Sequence, residues 1–210
     1  MCRLYLAYYL SIAVIAATVG VAGAQQTSES GGAENRWYVY RDAGATENHG
    51  QWTNWMPGGT RKLIRVNIED KTEPESGSTC IRVDITWAPP SWCGIAVSSA
   101  DEYWGEKPGP SYDLRRAKKL VFSARGANGG EIIHAKVAIA GDKPFGDTAQ
   151  VPAVLRDVTL KKTWEQFELD VSKIRRDRVI TPFCFVTNQD LNPENITIFL
   201  DNIYFVVEGE

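Results

Sequence analysis

The chain has 210 residues, with 23 Lys and Arg against 26 Asp and Glu, a formal net charge of −3. That balance excludes an electrostatic nucleic-acid binder, since even the densest basic run, residues 173–178, contains Asp177 and reads as a solvated turn. Beyond Cys2, an odd set of three cysteines (Cys80, Cys93 and Cys184) shows no CxxC or Cys/His spacing, which excludes a full disulfide framework and a zinc site and allows at most one disulfide.

In chain order, Arg3 gives a short positive start, residues 4–21 are almost wholly apolar, and Ala22-Gly23-Ala24 ends in the small-x-small pattern of a signal-peptidase site. Residues 1–24 are therefore expected to be a signal peptide. An apolar run of this length approaches the ~20 residues that span a bilayer, so a retained anchor is the alternative. The well-formed site, and the polar, Gly-rich lead-in of residues 25–36, favour cleavage. The protein is expected to be secreted, periplasmic or on the cell surface, and free of the membrane once cleaved. Residues 25–210 carry 22 basic and 26 acidic side chains, a net charge of −4, and residues 37–210 have the size of one domain with a substantial core.

From Trp37 onward, short segments separated by turn residues predict strands and no amphipathic helix. Strands are expected over residues 37–40 and 62–68. In residues 81–87 the odd positions are apolar and the even ones polar, the alternation of a half-buried strand. Further strands are expected over residues 92–97, 119–124, 132–139, 154–160, 165–169, 182–187 and 196–207. Gly, Pro, Asn and Asp clusters punctuate them, among them Pro57-Gly58-Gly59 and Asn128-Gly129-Gly130. Eight or more such strands predict an all-β fold, a two-sheet antiparallel sandwich of the jelly-roll kind. The last strand changes face midway: Ile196, Ile198 and Leu200 occupy even positions, Ile203, Phe205 and Val207 odd ones. A strand has a strict two-residue period, so one extra residue, a bulge, is expected near Asp201-Asn202.

The segments KKLVFSARGANGGE (118–131), WEQFELDVS (164–172) and ITIFLDNIYF (196–205) resemble the later strands of β-jelly-roll carbohydrate-binding modules with the galactose-binding-like fold, in the form found in secreted bacterial proteins. STCIRVDITW, SWCGIAVSS and YWGEKPGPSYDL resemble the matching upstream parts, so the likeness spans roughly residues 37–207. It implies non-catalytic binding of a polysaccharide, with a β-linked glucan as the expected ligand class. It also implies a structural Ca²⁺ where Asp201 of the last strand meets the first strand, with Asp42 as a second ligand and Glu47 nearby. Calcium suits such a place because it takes six to eight oxygen ligands of mixed type.

Pyranose rings present flat faces of C–H groups that stack on aromatic rings, and one such contact contributes on the order of 1–2 kcal/mol by area burial. Trp52 and Trp55 in HGQWTNWMPGG, and Tyr103-Trp104, are the candidate platforms. Trp92, beside Cys93 and Ile95, reads as a plug over an open end of the sandwich, and Trp87 and Trp164 as framework. Alternation sends Arg82 and Asp84 to a polar strand face, and likewise Arg125 and His134 with Lys136. Arg82, Asp84, Arg125 and His134 are expected to share one concave outer sheet, where planar donors and acceptors grip sugar hydroxyls. The glycine-rich ARGANGGE is followed by strand alternation, not a helix, so it is expected to be a hairpin turn and no phosphate cradle.

Two other classes compete. A polysaccharide-cleaving enzyme would need paired carboxylates, with Asp84 and Glu131 as the available pair. No G-x-S-x-G elbow, H-E-x-x-H helix or activated cysteine accompanies them. A surface or assembly subunit would also expose aromatics, together with contiguous aliphatics.

Overall fold

The computed structural model describes residues 35–55, 63–89 and 91–209, with Asn54 and Trp55 placed by backbone alone. The expected signal peptide lies outside the described residues. Eleven strands form among them: β1 (Asn35–Tyr40), β2 (Gln51–Trp55), β3 (Ile64–Asp70), β4 (Cys80–Ile85), β5 (Trp92–Ser98), β6 (Ala117–Gly126), β7 (Ile132–Val137), β8 (Ala153–Thr159), β9 (Glu165–Asp170), β10 (Phe183–Asn188) and β11 (Ile196–Val207).

The strands make two antiparallel sheets, as the alternation and turn spacing predict. The first runs β3-β4-β11-β6-β9 with β1 also on β11, and the second runs β2-β5-β10-β7-β8. Only β3–β4 and β7–β8 are hairpins within one sheet; every other consecutive connection passes from one sheet to the other, including the glycine-rich turn from β6 to β7, which was expected to be a hairpin but joins strands that do not pair. Residues close in sequence thus often end on opposite faces of the molecule.

Between the sheets lies one core. The first sheet contributes Ile81, Val83 and Ile85 from β4, Leu120 and Phe122 from β6, and Ile198, Leu200, Ile203 and Phe205 from β11. The second contributes Cys93, Ile95 and Val97 from β5, Ile133 and Val137 from β7, and Phe183 and Phe185 from β10. These are the alternate positions of each strand, as the two-residue period requires.

The bulge in β11 is present. Asp201 faces Ser123 of β6 and Tyr204 faces Val121, so three steps on one strand match two on the other. Asn202 takes up the extra residue at φ 47°. At the same place the other edge of β11 changes partner, from β4 (Leu200 opposite Ile81) to β1 (Ile203 opposite Tyr40).

One strand differs from the expectation. Residues 51–55, read as a turn-rich segment, form edge strand β2 on β5. Cys80, Cys93 and Cys184 are all buried and unpaired.

Candidate functional site

Part of the outer face of the first sheet, around Arg125, Trp164 and Asp201, is covered by the segment after β3. Thr72 O accepts Arg125 Nη2 at 2.8 Å, Glu73 O accepts Trp164 Nε1 at 2.8 Å, and the N–H groups of Glu75 and Ser76 reach Asp201 at 2.9 and 3.2 Å. Arg125 is buried beneath this strap, its guanidinium 3.8 Å from the Phe199 ring centre and 5.2 Å from that of Trp164. It is a cation–π staple and offers little to a ligand. Arg82 and Asp84 form a half-exposed ion pair on the same face, 3.0 Å between Nη2 and Oδ1, and Thr197 Oγ1 donates to Asp84 at 2.7 Å. The expected four-residue polar face is therefore divided: Arg82, Asp84 and Arg125 sit on the first sheet, His134 on the second. Alternation sets in or out for each strand, but strand order sets which sheet.

On the outer face of the second sheet, Gly94 and Ala96 of β5 leave low ground beside β10 and β7. Gly94 is opposite Val186, which is opposite His134; Ala96 is opposite Cys184, which is opposite Lys136. A hollow of about 320 Å³ lies here, lined by Trp92, His134, Lys136, Ile139, Val186, Thr187 and Asn188. Ile139 also borders a second hollow of about 430 Å³, lined with Trp104, Glu106, Ala140, Asp142 and Lys143. The two adjoin across that side chain.

Trp92 and Tyr103 reverse their expected parts. Trp92, read as a plug, is 40% exposed and forms a wall of the first hollow. Its neighbours Cys93, Ile95 and Val97 face the core, so alternation starting from them turns Trp92 outward, a signal the sequence carries. Tyr103 is 7% exposed, packed with Ala140 and Ile180, its hydroxyl 2.8 Å from Lys107 O and 3.2 Å from Phe145 O. It is the plug, pinning the loop after β5 to the loop after β7. Trp104, the next residue, is half-buried and stands in the second hollow.

Trp52 turns inward. It packs on the core, edge-on to Tyr40 and Phe183 at ring-centre distances of 6.3 Å each, and cannot be a platform. Trp55 pairs with Gly94 on the adjoining edge strand; its side chain lies outside the described residues.

The polar walls of the first hollow are specific. His134 Nδ1 accepts the backbone N–H of Asp157 at 3.0 Å. Asn188 Oδ1 accepts the Leu191 N–H at 2.9 Å, which leaves its NH₂ group for the hollow. Thr187 is fully engaged, its hydroxyl donating to Ile132 O and accepting from Asn192. Lys136 has no hydrogen-bond or carboxylate partner among the described residues. Its charge is felt by the buried Cys184 thiol, which burial pushes up to about 12 and Lys136 pulls back.

Asp201 and Asp42 bracket the 75–79 turn. Asp201 is fully buried and takes three backbone N–H groups, from Glu75, Ser76 and Asn202. Asp42 takes the hydroxyls of Thr79 and Ser78 and the N–H groups of Ser78 and Ala43, and the Thr79 hydroxyl above all holds its pKa below the usual carboxylate value. Glu47, in the same hollow as Asp42, is paired with Arg41. These partners are donors. Backbone N–H groups cannot present lone pairs to a cation, so the Asp201 set fits a hydrogen-bonded turn better than the oxygen shell of Ca²⁺, whereas the Ser78 and Thr79 hydroxyls at Asp42 carry lone pairs of the kind Ca²⁺ takes.

Asp84 and Glu131 do not meet. Asp84 is on the outer face of the first sheet, whereas Glu131 is buried and fills the space where Gly126 lacks a side chain; a Cβ on Gly126 would lie 1.8 Å from Glu131 Oε2. Gly126 is aligned with Ile198, whose side chain belongs to the core. The carboxyls thus lie on opposite sides of the sheet, and one sugar bond cannot sit between them.

No protein-family model matches the chain, and no curated protein sequence matches it. Solved structures do. The family 11 carbohydrate-binding module of the cellulosomal cellulase Lic26A-Cel5E of Clostridium thermocellum is similar with a TM-score of 0.55 at 16% identity, over 85% of this chain and 98% of that one. The family 30 carbohydrate-binding module of the cellulosomal cellulase Cel9D-Cel44B of the same organism gives 0.54 at 14%, over 84% and 99%. What the chain shares with these modules is their two-sheet β-sandwich.

Proposed function

We propose that the protein binds polysaccharide without cleaving it, on the outer face of the second sheet, as an exported single-domain module. The observation that carries this reading is Trp92: a large ring, 40% exposed, beside a trough whose polar walls are hydrogen-bond donors. Leaving an indole in water is unfavourable unless something apolar and flat covers it, and a pyranose face does so while its hydroxyls reach the walls. Trp104 extends the trough through the second hollow. The modules that share the fold are named as carbohydrate-binding, which supports the reading. A β-linked glucan is the backbone class proposed, because its equatorial linkages keep successive rings flat enough to lie along such a floor.

Affinity electrophoresis in gels containing soluble β-glucans tests the proposal. Retardation of the protein, lost in Trp92→Ala and weakened in Trp104→Ala with the fold intact, is expected. Unretarded migration in every polysaccharide gel would refute it. Release of reducing ends, abolished by Asp84→Asn or Glu131→Gln, would establish the enzyme reading instead.

A further inference from the structure

The trough beside Trp92 carries an imbalance that a neutral glucan does not call for. A sugar hydroxyl both donates and accepts, so walls that grip neutral chains mix donors with carboxylates. Here the walls offer an ammonium from Lys136, an NH₂ from Asn188 and, with Nδ1 of His134 already accepting, the other imidazole nitrogen, Nε2, as an N–H donor. No carboxylate lines this hollow among the described residues. Asp157, on β8, lies 3.9 Å from His134 Nδ1 and is largely solvent-exposed. The acids of the neighbouring hollow are Glu106 and Asp142, and Asp142 lies 3.8 Å from Lys143.

Lys136 is the decisive group. It stands on β7 in register with the buried Cys184 of β10 and, beyond it, Ala96 of β5, and it lines the same hollow as Trp92, so a ligand resting against that ring would meet it. Lysines elsewhere on the surface, such as Lys119 and Lys161, are held by Glu168 and Glu165. A partly desolvated cation with no counter-charge attracts an anion far more strongly than it attracts a hydroxyl.

We infer that the preferred ligand is an acidic β-linked polysaccharide, with a uronate carboxylate seated at Lys136 and flanked by the N–H groups of His134 and Asn188. This rests on the polysaccharide-binding reading above and adds the charge of the chain to it. A carboxylate at C6 replaces a primary hydroxyl without altering the flat ring face, so stacking on Trp92 and pairing with Lys136 are compatible.

The experiment compares β-1,4-linked glucurono-oligosaccharides with cello-oligosaccharides of equal length by isothermal titration calorimetry, at low and at high salt. The two ligands differ only in that carboxylate. The uronate series is expected to bind about tenfold more tightly, the increment of one charge-assisted contact, and to lose that advantage at high salt. Lys136→Gln should abolish the preference, bringing the uronate series down to the affinity of the neutral series in the same variant, and Trp92→Ala should weaken both series. Equal affinity for the two series, or a preference that survives Lys136→Gln, overturns the inference while leaving the polysaccharide reading standing. No binding of either series overturns both.

Discussion

The backbone N–H of Asp157 lies 3.0 Å from His134 Nδ1 and fixes the imidazole that faces the trough. The contact arises from an irregularity between β7 and β8: their register shifts between Ile133 and Ala135, and Asp157 adopts φ 53°. A bulge frees one N–H from the ladder and here aims it at a side chain. With Nδ1 accepting, the neutral ring carries its proton on Nε2. Nitrogen-15 spectra should show that tautomer at alkaline pH, and addition of ligand should shift the Nε2 resonance; an Nδ1–H tautomer would contradict the geometry.

Trp92 and Tyr103 should separate binding from stability. Tyr103→Ala removes a buried ring and is expected to cost about 3 kcal/mol in urea denaturation, with sugar binding reduced only as the loops loosen. Trp92→Ala removes an exposed ring and should leave the denaturation midpoint nearly unchanged while weakening polysaccharide binding about tenfold, as loss of ~1–2 kcal/mol of stacking implies. The opposite pattern, a destabilised Trp92→Ala that still binds, would return Trp92 to the role of a plug.

Asp201 makes stability depend on pH in a definite direction. Burial pushes its pKa up to about 6 from 3.8, even though the N–H groups of Ser76, Asn202 and Glu75 pull it down. Across the window between these two values the folded chain keeps a proton that the unfolded chain has released. The contribution of Asp201 to stability is therefore fully present below the lower value and lost as pH rises through the upper one, on the order of 2–3 kcal/mol. Asp42 acts in the opposite sense and at lower pH, because its pKa is depressed by Thr79. Urea midpoints measured across this range should fall more, or rise less, with pH in the parent protein than in Asp201→Asn. An unchanged slope in that variant would assign the proton elsewhere.

Calcium is decided by chelation. The resemblance to jelly-roll modules implies an ion at Asp201 and Asp42, whereas their present donors satisfy both carboxylates without one. Thermal midpoints are expected to agree within error in EDTA and in millimolar Ca²⁺. A rise of several degrees on adding Ca²⁺, lost in Asp42→Asn, would show that the Ser78 and Thr79 hydroxyls turn their lone pairs to a bound ion.

The sandwich was legible because each strand carries its own alternation. The β11 bulge was legible for the same reason, since Leu200 and Ile203 cannot share a face of an unbroken strand. Strand β2 was hidden: it has five residues, lies beside a Pro-Gly-Gly run, and among its described side chains only Trp52 packs on the apolar core. Tyr103 was illegible locally, because its burial comes from Ala140, Phe145 and Ile180, supplied by distant loops. The division of Arg82, Asp84 and Arg125 from His134 was illegible too. It follows from most connections crossing between sheets, a property of strand order that no single segment encodes.

The pairing of β1 with the second half of β11 places Asn35 directly opposite Val207. The first and last strands of the sandwich thus have their outer ends side by side at one end of the first sheet. Such an arrangement tolerates grafting: spliced into a surface loop of a host protein, the unit would separate the loop's ends by little more than the spacing of two neighbouring strands. A circular permutant, with these ends bridged by a few flexible residues and new ones opened at an exposed turn, should keep every ladder of both sheets.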